Sequence, residues 1–290
     1  METLILKAFM EGTHLAVYAS IKPGSHHRLR LDKESWFLVS NVIAITEYMI
    51  QATEYGERVR RGDRAIGDIE IGKLIARALR EAYRWCSRRV YPSLVIPILL
   101  YSLAISHSNT ESIIRDAGKL RRSLDLVLSI NKWREIKQII DTLRGVNRND
   151  MYKHLVASGI SHLAGVEGAV TLNELFTVLG SKWPGFISVD TREYRVVVYV
   201  KKLLEYYKRY NDAENAVVAL YLDMIQAKMP GWARKYVEEA FRDNLMHSRS
   251  GAKRLFELDN MFRKQGISYN EYSELLAIIT SLAVYEGMRI

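Results

Sequence analysis

Seven residues with chemical potential follow one another without a break: Lys22, Pro23, Gly24, Ser25, His26, His27 and Arg28. The Pro-Gly pair sets a turn. A lysine, two histidines and an arginine then crowd into a few positions. Such a cluster suits a di- or triphosphate, with Arg28 gripping oxygens bidentately, Lys22 acting as a point charge, and Gly24 and His27 beside them. The plain alternative is an exposed basic loop.

Carboxylates are the second resource. Asp63, Asp68 and Glu70 form an acidic set that can hold magnesium on a polyphosphate, although Asp68 also sits where a helix N-cap belongs. Glu167 lies in the turn from His162 to Gly168. Glu274 lies in the last helical segment, two residues after Tyr272 and next to Leu275. A carboxylate in an apolar helix is costly to bury unless paired, so Glu274 is the acid that most needs an explanation; the alternative is that it points outward. His107, His154, His162 and His247 are scattered without ligand spacing. Cys86 falls on the apolar face of its helix and reads as a structural thiol. There is no Gly-rich phosphate loop, no paired-histidine zinc helix and no nucleophile elbow.

The elements that must position these groups read as helices. Apolar residues make up 48% and charged residues 26%, with five prolines and seventeen glycines, too few for a loop-rich β chain. The expectation is an all-α fold, a single compact multi-helix domain over 1–290 with buried central helices and a weak seam at 145–149. Ile71, Leu74, Ile75, Ala78, Leu79, Ala82, Trp85 and Cys86 share one face of a helix over 69–86, capped by Asp68. Lys73, Arg77, Arg80, Arg84 and Arg88 form a basic stripe on its other side. The stretch 90–105 is apolar all round, which means burial on every side. It is shorter than the roughly 20 residues a membrane span needs and holds Pro92 and Pro97. Thr171 with Glu174 and Ser268 with Glu271 are capping boxes. Asp190 with Glu193 opens a helix over 190–210 despite strand propensity at 196–200. The segment 54–63 reads as a loop or a frayed helix end.

Charge and cysteine usage bound the partners. The net charge of +9 favours anions such as nucleotides, coenzymes or nucleic acid, or else reflects a thermophile-like surface rich in Arg, Lys and Glu. The single cysteine excludes an internal disulfide framework. With neither a signal-peptide pattern nor a membrane span in the sequence, a cytoplasmic location and no membrane partner are expected.

The order of segments resembles the triphosphoribosyl-dephospho-coenzyme A synthase family across most of the chain. Ala16 to Gly24 is similar to the family's N-terminal stretch ending in Lys-Pro-Gly. Ile69 to Ile75, with the helix to Trp85, is similar to the segment before the family's Asn-rich motif, and 90–105 to the apolar helix after it. Asn149 to Tyr152 with the turn through Glu167, and Ser273 to Ala277, resemble the mid-chain and C-terminal segments. The motifs themselves depart. Asn-Thr-Asn-Leu-Gly reads Tyr91-Pro-Ser-Leu-Val95, Asn-Pro-Gly reads Ser268-Tyr-Asn270, and Glu274 and Glu167 stand for aspartates.

The resemblance implies an all-α transferase that moves a phosphorylated ribose from ATP, as substrate, to dephospho-coenzyme A with loss of adenine, helped by magnesium. Lys22, Arg28, Arg234 and Lys235 would hold phosphate. Glu167 and Glu274 would act in catalysis, Glu274 also as a metal ligand beside Asp68. Two other functions compete: a catalytically inactive relative acting as a partner protein, and a basic nucleic-acid-binding module using Arg58, Arg60, Arg61 and the Lys73–Arg88 stripe. The transferase reading expects Lys22, Glu167 and Glu274 to share one pocket.

Overall fold

A computed structural model describes residues 2–30, 32–130, 132–166 and 168–289. Its helices run in the order α1 (Glu2–Tyr18), α2 (Lys33–Ala44), α3 (Thr46–Arg60), α4 (Ile71–Trp85), α5 (Pro92–Ser108), α6 (Ala117–Leu128), α7 (Trp133–Gly145), α8 (Asn149–Ala157), α9 (Ile160–Leu163), α10 (Leu172–Gly180), α11 (Arg195–Tyr210), α12 (Ala213–Ile225), α13 (Gly231–Arg242), α14 (Arg249–Lys264) and α15 (Ser273–Tyr285). Short 3₁₀ turns join several of them, and no β-strand occurs among the described residues. The fold is all-α.

Three helices are apolar nearly all round and form the centre. Residues 92–106 of α5 are buried without exception, as are Leu275 to Tyr285 of α15 and most of α12. Each Leu or Ile removed from water in this way stabilises the fold by roughly 1.5–3 kcal/mol. Pro97 is tolerated inside α5, a helix locked by its neighbours on every side. Amphipathic helices cover the centre. On α4, Ile71, Leu74, Ile75, Ala78, Leu79 and Ala82 are buried as their spacing predicts, and they pack towards Ile136, Ile139, Ile140 and Leu143 of α7. Cys86 just beyond the helix is buried too, but Trp85, in the last turn where the helix ends, is exposed. One hydrophobic core runs through the molecule and includes Leu143 before the 145–149 turn and Met151 after it.

Two close crossings need glycine. A Cβ on Gly12 of α1 would run into the backbone of Ser281 of α15, and a Cβ on Gly56 of α3 would meet the Leu103 carbonyl of α5. Helices that touch backbone to backbone leave no room for a side chain. The Gly12 contact fixes α15, and with it Glu274.

Several boundaries differ from expectation. The Thr171–Glu174 capping box is present in both directions: the Glu174 N–H donates to Thr171 at 3.2 Å and the Thr171 N–H donates to Glu174 at 2.7 Å. Asp68 does not cap α4. It lies in a 3₁₀ turn over Ile66–Asp68, and the helix starts only at Ile71, behind Glu70. Ser268 does not cap the last helix either, because Asn270–Tyr272 winds into another 3₁₀ turn before α15 begins. The helix expected from Asp190 starts at Arg195, after Asp190 has turned its carboxylate onto Arg192. Of the segment 54–63, read as a loop or a frayed helix end, residues 54–60 continue α3 to its end at Arg60.

Candidate functional site

Helix ends build a cleft of about 780 Å³. The starts of α2, α5, α8 and α15 open onto it, as do the turns that follow α4 and α7. Three of those starts bring a carboxylate in their first turn: Glu34 on α2, Asp150 on α8 and Glu274 on α15. Helix N-termini favour negative charge, so the sequence places acids there at little cost. Three arginines face them from the two turns: Arg88, Arg89 and Arg148.

Two of the acids are spoken for. Arg89 pairs with Glu34 at 3.1 Å, and the Tyr91 hydroxyl donates to the same carboxylate. Arg148 holds Asp150 bidentately, Nε and Nη2 each donating at 2.9 Å, while its Nη1 donates to the Val90 carbonyl at 3.2 Å. Burial pushes the Asp150 carboxyl up, but the Arg148 hydrogen bonds and charge outweigh it and hold it below the ordinary range. Arg148 therefore ties the α7–α8 turn to the α4–α5 turn across the cleft floor.

Glu271, Glu274 and Arg88 remain, and of the two acids Glu274 is the one that sits in the first turn of α15. Glu274 accepts a hydrogen bond from the Ser93 hydroxyl at the start of α5 and has no cationic partner within ion-pair distance among the described residues. Burial raises its carboxyl above the usual value; the Ser93 hydrogen bond and the charge of Arg148 only partly oppose this. A carboxyl so placed holds its proton longer than an exposed one, as a general acid must. Arg88 is exposed at the rim and forms no ion pair among the described residues. Its backbone is left-handed (φ 67), as is that of Ser87 (φ 49), and Asn147 on the facing turn has φ 61. Non-glycine residues in that region are uncommon and gather at functional sites.

Two further groups on the wall suit a ligand. The Asn270 side-chain oxygen is buried yet has no partner among the described residues. An unsatisfied polar atom of this kind calls for a hydrogen-bonding partner. Trp183 offers an aromatic edge, with Arg148 and Lys182 over its ring at 6.0 and 5.2 Å.

The Lys22–Arg28 segment reaches this cleft in an unexpected way. Lys22 is wholly buried, its ammonium donating to the carbonyls of Val17 at 3.1 Å and Ala19 at 2.8 Å, and burial drives it well below the ordinary lysine value. It does not line the cleft, so the expectation that it binds phosphate is corrected: no ligand can touch it. The Tyr221 hydroxyl donates to the Pro23 carbonyl at 2.7 Å. Gly24, at φ 76, donates its N–H to Asp259 at 2.9 Å and accepts from the Tyr269 N–H at 2.8 Å. His27 is buried against the same Asp259 at 3.4 Å. Of the residues from Lys22 to Arg28, His26 is the one that faces the cleft.

The other expected site residues scatter. Arg28 is exposed and pairs with Glu214 of α12. Arg234 and Lys235 lie on α13 in a separate shallow depression with Glu238, Glu239 and Arg242. Asp68 is exposed and 3.7 Å from Lys132, well apart from the residues around Glu274. Glu167 lies outside the described residues. Among the described residues no three His, Cys, Asp or Glu side chains gather as metal ligands, so these groups do not make a protein cage for magnesium. A magnesium ion carried on a polyphosphate belongs to the substrate and needs only one or two carboxylates. The α4 basic stripe is partly consumed: Lys73 pairs with Glu70, Arg80 donates to Thr142, and Arg88 joins the cleft.

Sequence reasoning missed Glu34, Arg89, Arg148, Asn270 and Trp183, and it gave His26 only a share in the phosphate cluster. The available signal was polar residues flanking helix starts, at 87–91, 147–150 and 270–274. No helix among the described residues is long and apolar enough to cross a membrane. Comparison with protein-family models, curated proteins and solved structures finds no match.

Proposed function

We propose that the cleft binds a nucleotide and that the chain transfers a phosphorylated ribose from ATP to a hydroxyl acceptor of the dephospho-coenzyme A type, releasing adenine. One observation carries this reading. Three stretches that resemble the synthase family meet in a single cleft: the start of the apolar helix through Tyr91, the mid-chain stretch Asn149 to Tyr152 through Asp150, and the last helix through Glu274.

The residues fit the chemistry. Departure of adenine needs a proton, and Glu274 is a carboxyl whose surroundings favour the protonated form. The sugar gains positive charge as its bond to the base breaks, and the cleft carboxylates stabilise that charge. Arg88, free of acidic partners among the described residues, meets the phosphates at the rim, where the strained turn holds it. The arginines that pair with Glu34 and Asp150 keep the walls in place.

The test is calorimetric and chromatographic. Isothermal titration with ATP and magnesium should give saturable heat, and adenine should appear when dephospho-coenzyme A is added. Glu274→Gln should retain ATP binding and lose adenine release by about 10²-fold or more. A protein that binds no nucleotide, or a Glu274→Gln variant that turns over normally, would overturn the reading.

A further inference from the structure

We infer that His26, held by Asp32, is the general base that activates the acceptor hydroxyl, an assignment that rests on the transferase reading above. The imidazole lines the cleft that holds Glu274. Its Nδ1 lies 3.0 Å from Oδ2 of Asp32. The other oxygen of Asp32 is engaged at the start of α2, accepting the Ser35 N–H at 2.9 Å as the helix cap. One carboxylate thus closes a helix with one oxygen and orients a histidine with the other. A carboxylate can only accept, so Nδ1 carries the proton and Nε2 keeps its lone pair.

That lone pair is available. Nε2 of His26 has no hydrogen-bond partner among the described residues, and unlike Nδ1 of the neighbouring His27 it is not sealed away as a buried orphan. The ring is otherwise fixed. Ser25, just before it, meets Ser273 hydroxyl to hydroxyl at 3.0 Å, and His27, just after it, is held by Asp259. Burial lowers the imidazole below its ordinary value, with nearby Lys22 and Arg30 acting in the same direction and Asp32 opposing them. The ring therefore enters the reaction neutral, as a base must.

The step balances with the groups present. The acceptor hydroxyl oxygen bonds to the anomeric carbon of the ATP ribose while the glycosidic bond to adenine breaks. The hydroxyl proton passes to Nε2 of His26. The electron pair of the broken bond stays on adenine, which takes a proton from the Glu274 carboxyl. Exchange with water then returns His26 to its neutral form and Glu274 to its protonated form. Asp32 is a positioning residue that acts only through His26.

The experiment uses the full chain with ATP, magnesium and dephospho-coenzyme A, together with nitrogen NMR of the histidine rings. The expected results are an Nδ1–H tautomer for His26, a switch to Nε2–H in Asp32→Asn (whose amide can still cap α2), and a fall in kcat of about 10²–10⁴-fold in His26→Gln with ATP affinity unchanged. His26→Gln should also remove one limb of the pH–rate bell and Glu274→Gln the other. Around His26 the charged groups are Asp32, Lys22 and Arg30, with Glu34, Asp150, Glu271 and Glu274 and the arginines Arg88, Arg89 and Arg148 across the cleft. Turnover that survives His26→Gln, or a His26 that carries its proton on Nε2, overturns this assignment and leaves the transferase reading standing. An unaltered protein that binds no nucleotide, or that releases no adenine, overturns that reading, and the base falls with it.

Discussion

Ser25 and Ser273 meet hydroxyl to hydroxyl at 3.0 Å, although 248 residues separate them in the chain. The residues that follow them are His26 and Glu274, the base and the acid of the proposed transfer. The contact is buried, so neither hydroxyl has water as an alternative partner. It makes the N-terminal loop and the last helix one unit, and the spacing of the two reacting groups depends on it.

The first prediction concerns that contact. Ser25→Ala or Ser273→Ala alone strands a buried hydroxyl and should cost about 1–3 kcal/mol in urea unfolding. The double variant removes both hydroxyls and should cost less than the sum, with a coupling of roughly 0.5–3 kcal/mol. Strict additivity would show that the hydroxyls do not interact in solution.

Asp259 carries the second prediction. It is wholly buried and receives the Gly24 N–H at 2.9 Å, His27 at 3.4 Å and Arg263 at 2.7 Å. Burial pushes its carboxyl up, but these donors prevail and leave it below the ordinary aspartate value of 3.8. A depressed folded-state pKa contributes stability above the unfolded value, and the contribution is lost as pH falls through the folded one. Asp259→Ala should therefore cost about 3–5 kcal/mol near pH 7, because its donors lose their partner. Asp259→Asn should flatten the acid limb of the stability curve below about pH 4. Unfolding midpoints measured from pH 2 to 7 decide this, and an acid limb identical to that of the unaltered protein would exclude the role.

Much of this was legible in the sequence, for reasons that differ residue by residue. The apolar repeat from Ile71 to Ala82 names its buried face because helix period alone sets it. Glu274 stood out because an acid in an apolar helix demands an account, and burial with a Ser93 hydrogen bond supplies one. Lys22 was misread because its charge suggests water, whereas two carbonyls at the end of α1 accept its ammonium inside the protein. That depends on how the chain folds back, not on local composition. Asp68 and Ser268 have the right chemistry for caps, but each lies in or beside a 3₁₀ turn that delays its helix. Trp183 gave no local sign at all, and Arg148 only that of a polar residue just before a helix start. Their place in the cleft exists only because turns far apart in sequence meet in space.

The third prediction sets two glycines against each other. Exchanging a helical glycine for alanine should stabilise by roughly 0.5–1 kcal/mol when nothing else changes, since alanine loses less backbone freedom on folding. Gly118 in α6 meets that condition, because a Cβ there would find only the Arg122 guanidinium at 3.8 Å. Gly12 in α1 does not, because its Cβ would collide with the Ser281 backbone, which cannot swing aside as a side chain can. Gly12→Ala must therefore part α1 from α15 and should destabilise by about 1–3 kcal/mol, the usual cost of overpacking. Parting those helices also moves the start of α15, so adenine release should fall in Gly12→Ala and stay unchanged in Gly118→Ala. Denaturant midpoints of the two variants should shift in opposite directions. A Gly12→Ala protein as stable as the unaltered chain would mean that the two helices do not approach backbone to backbone.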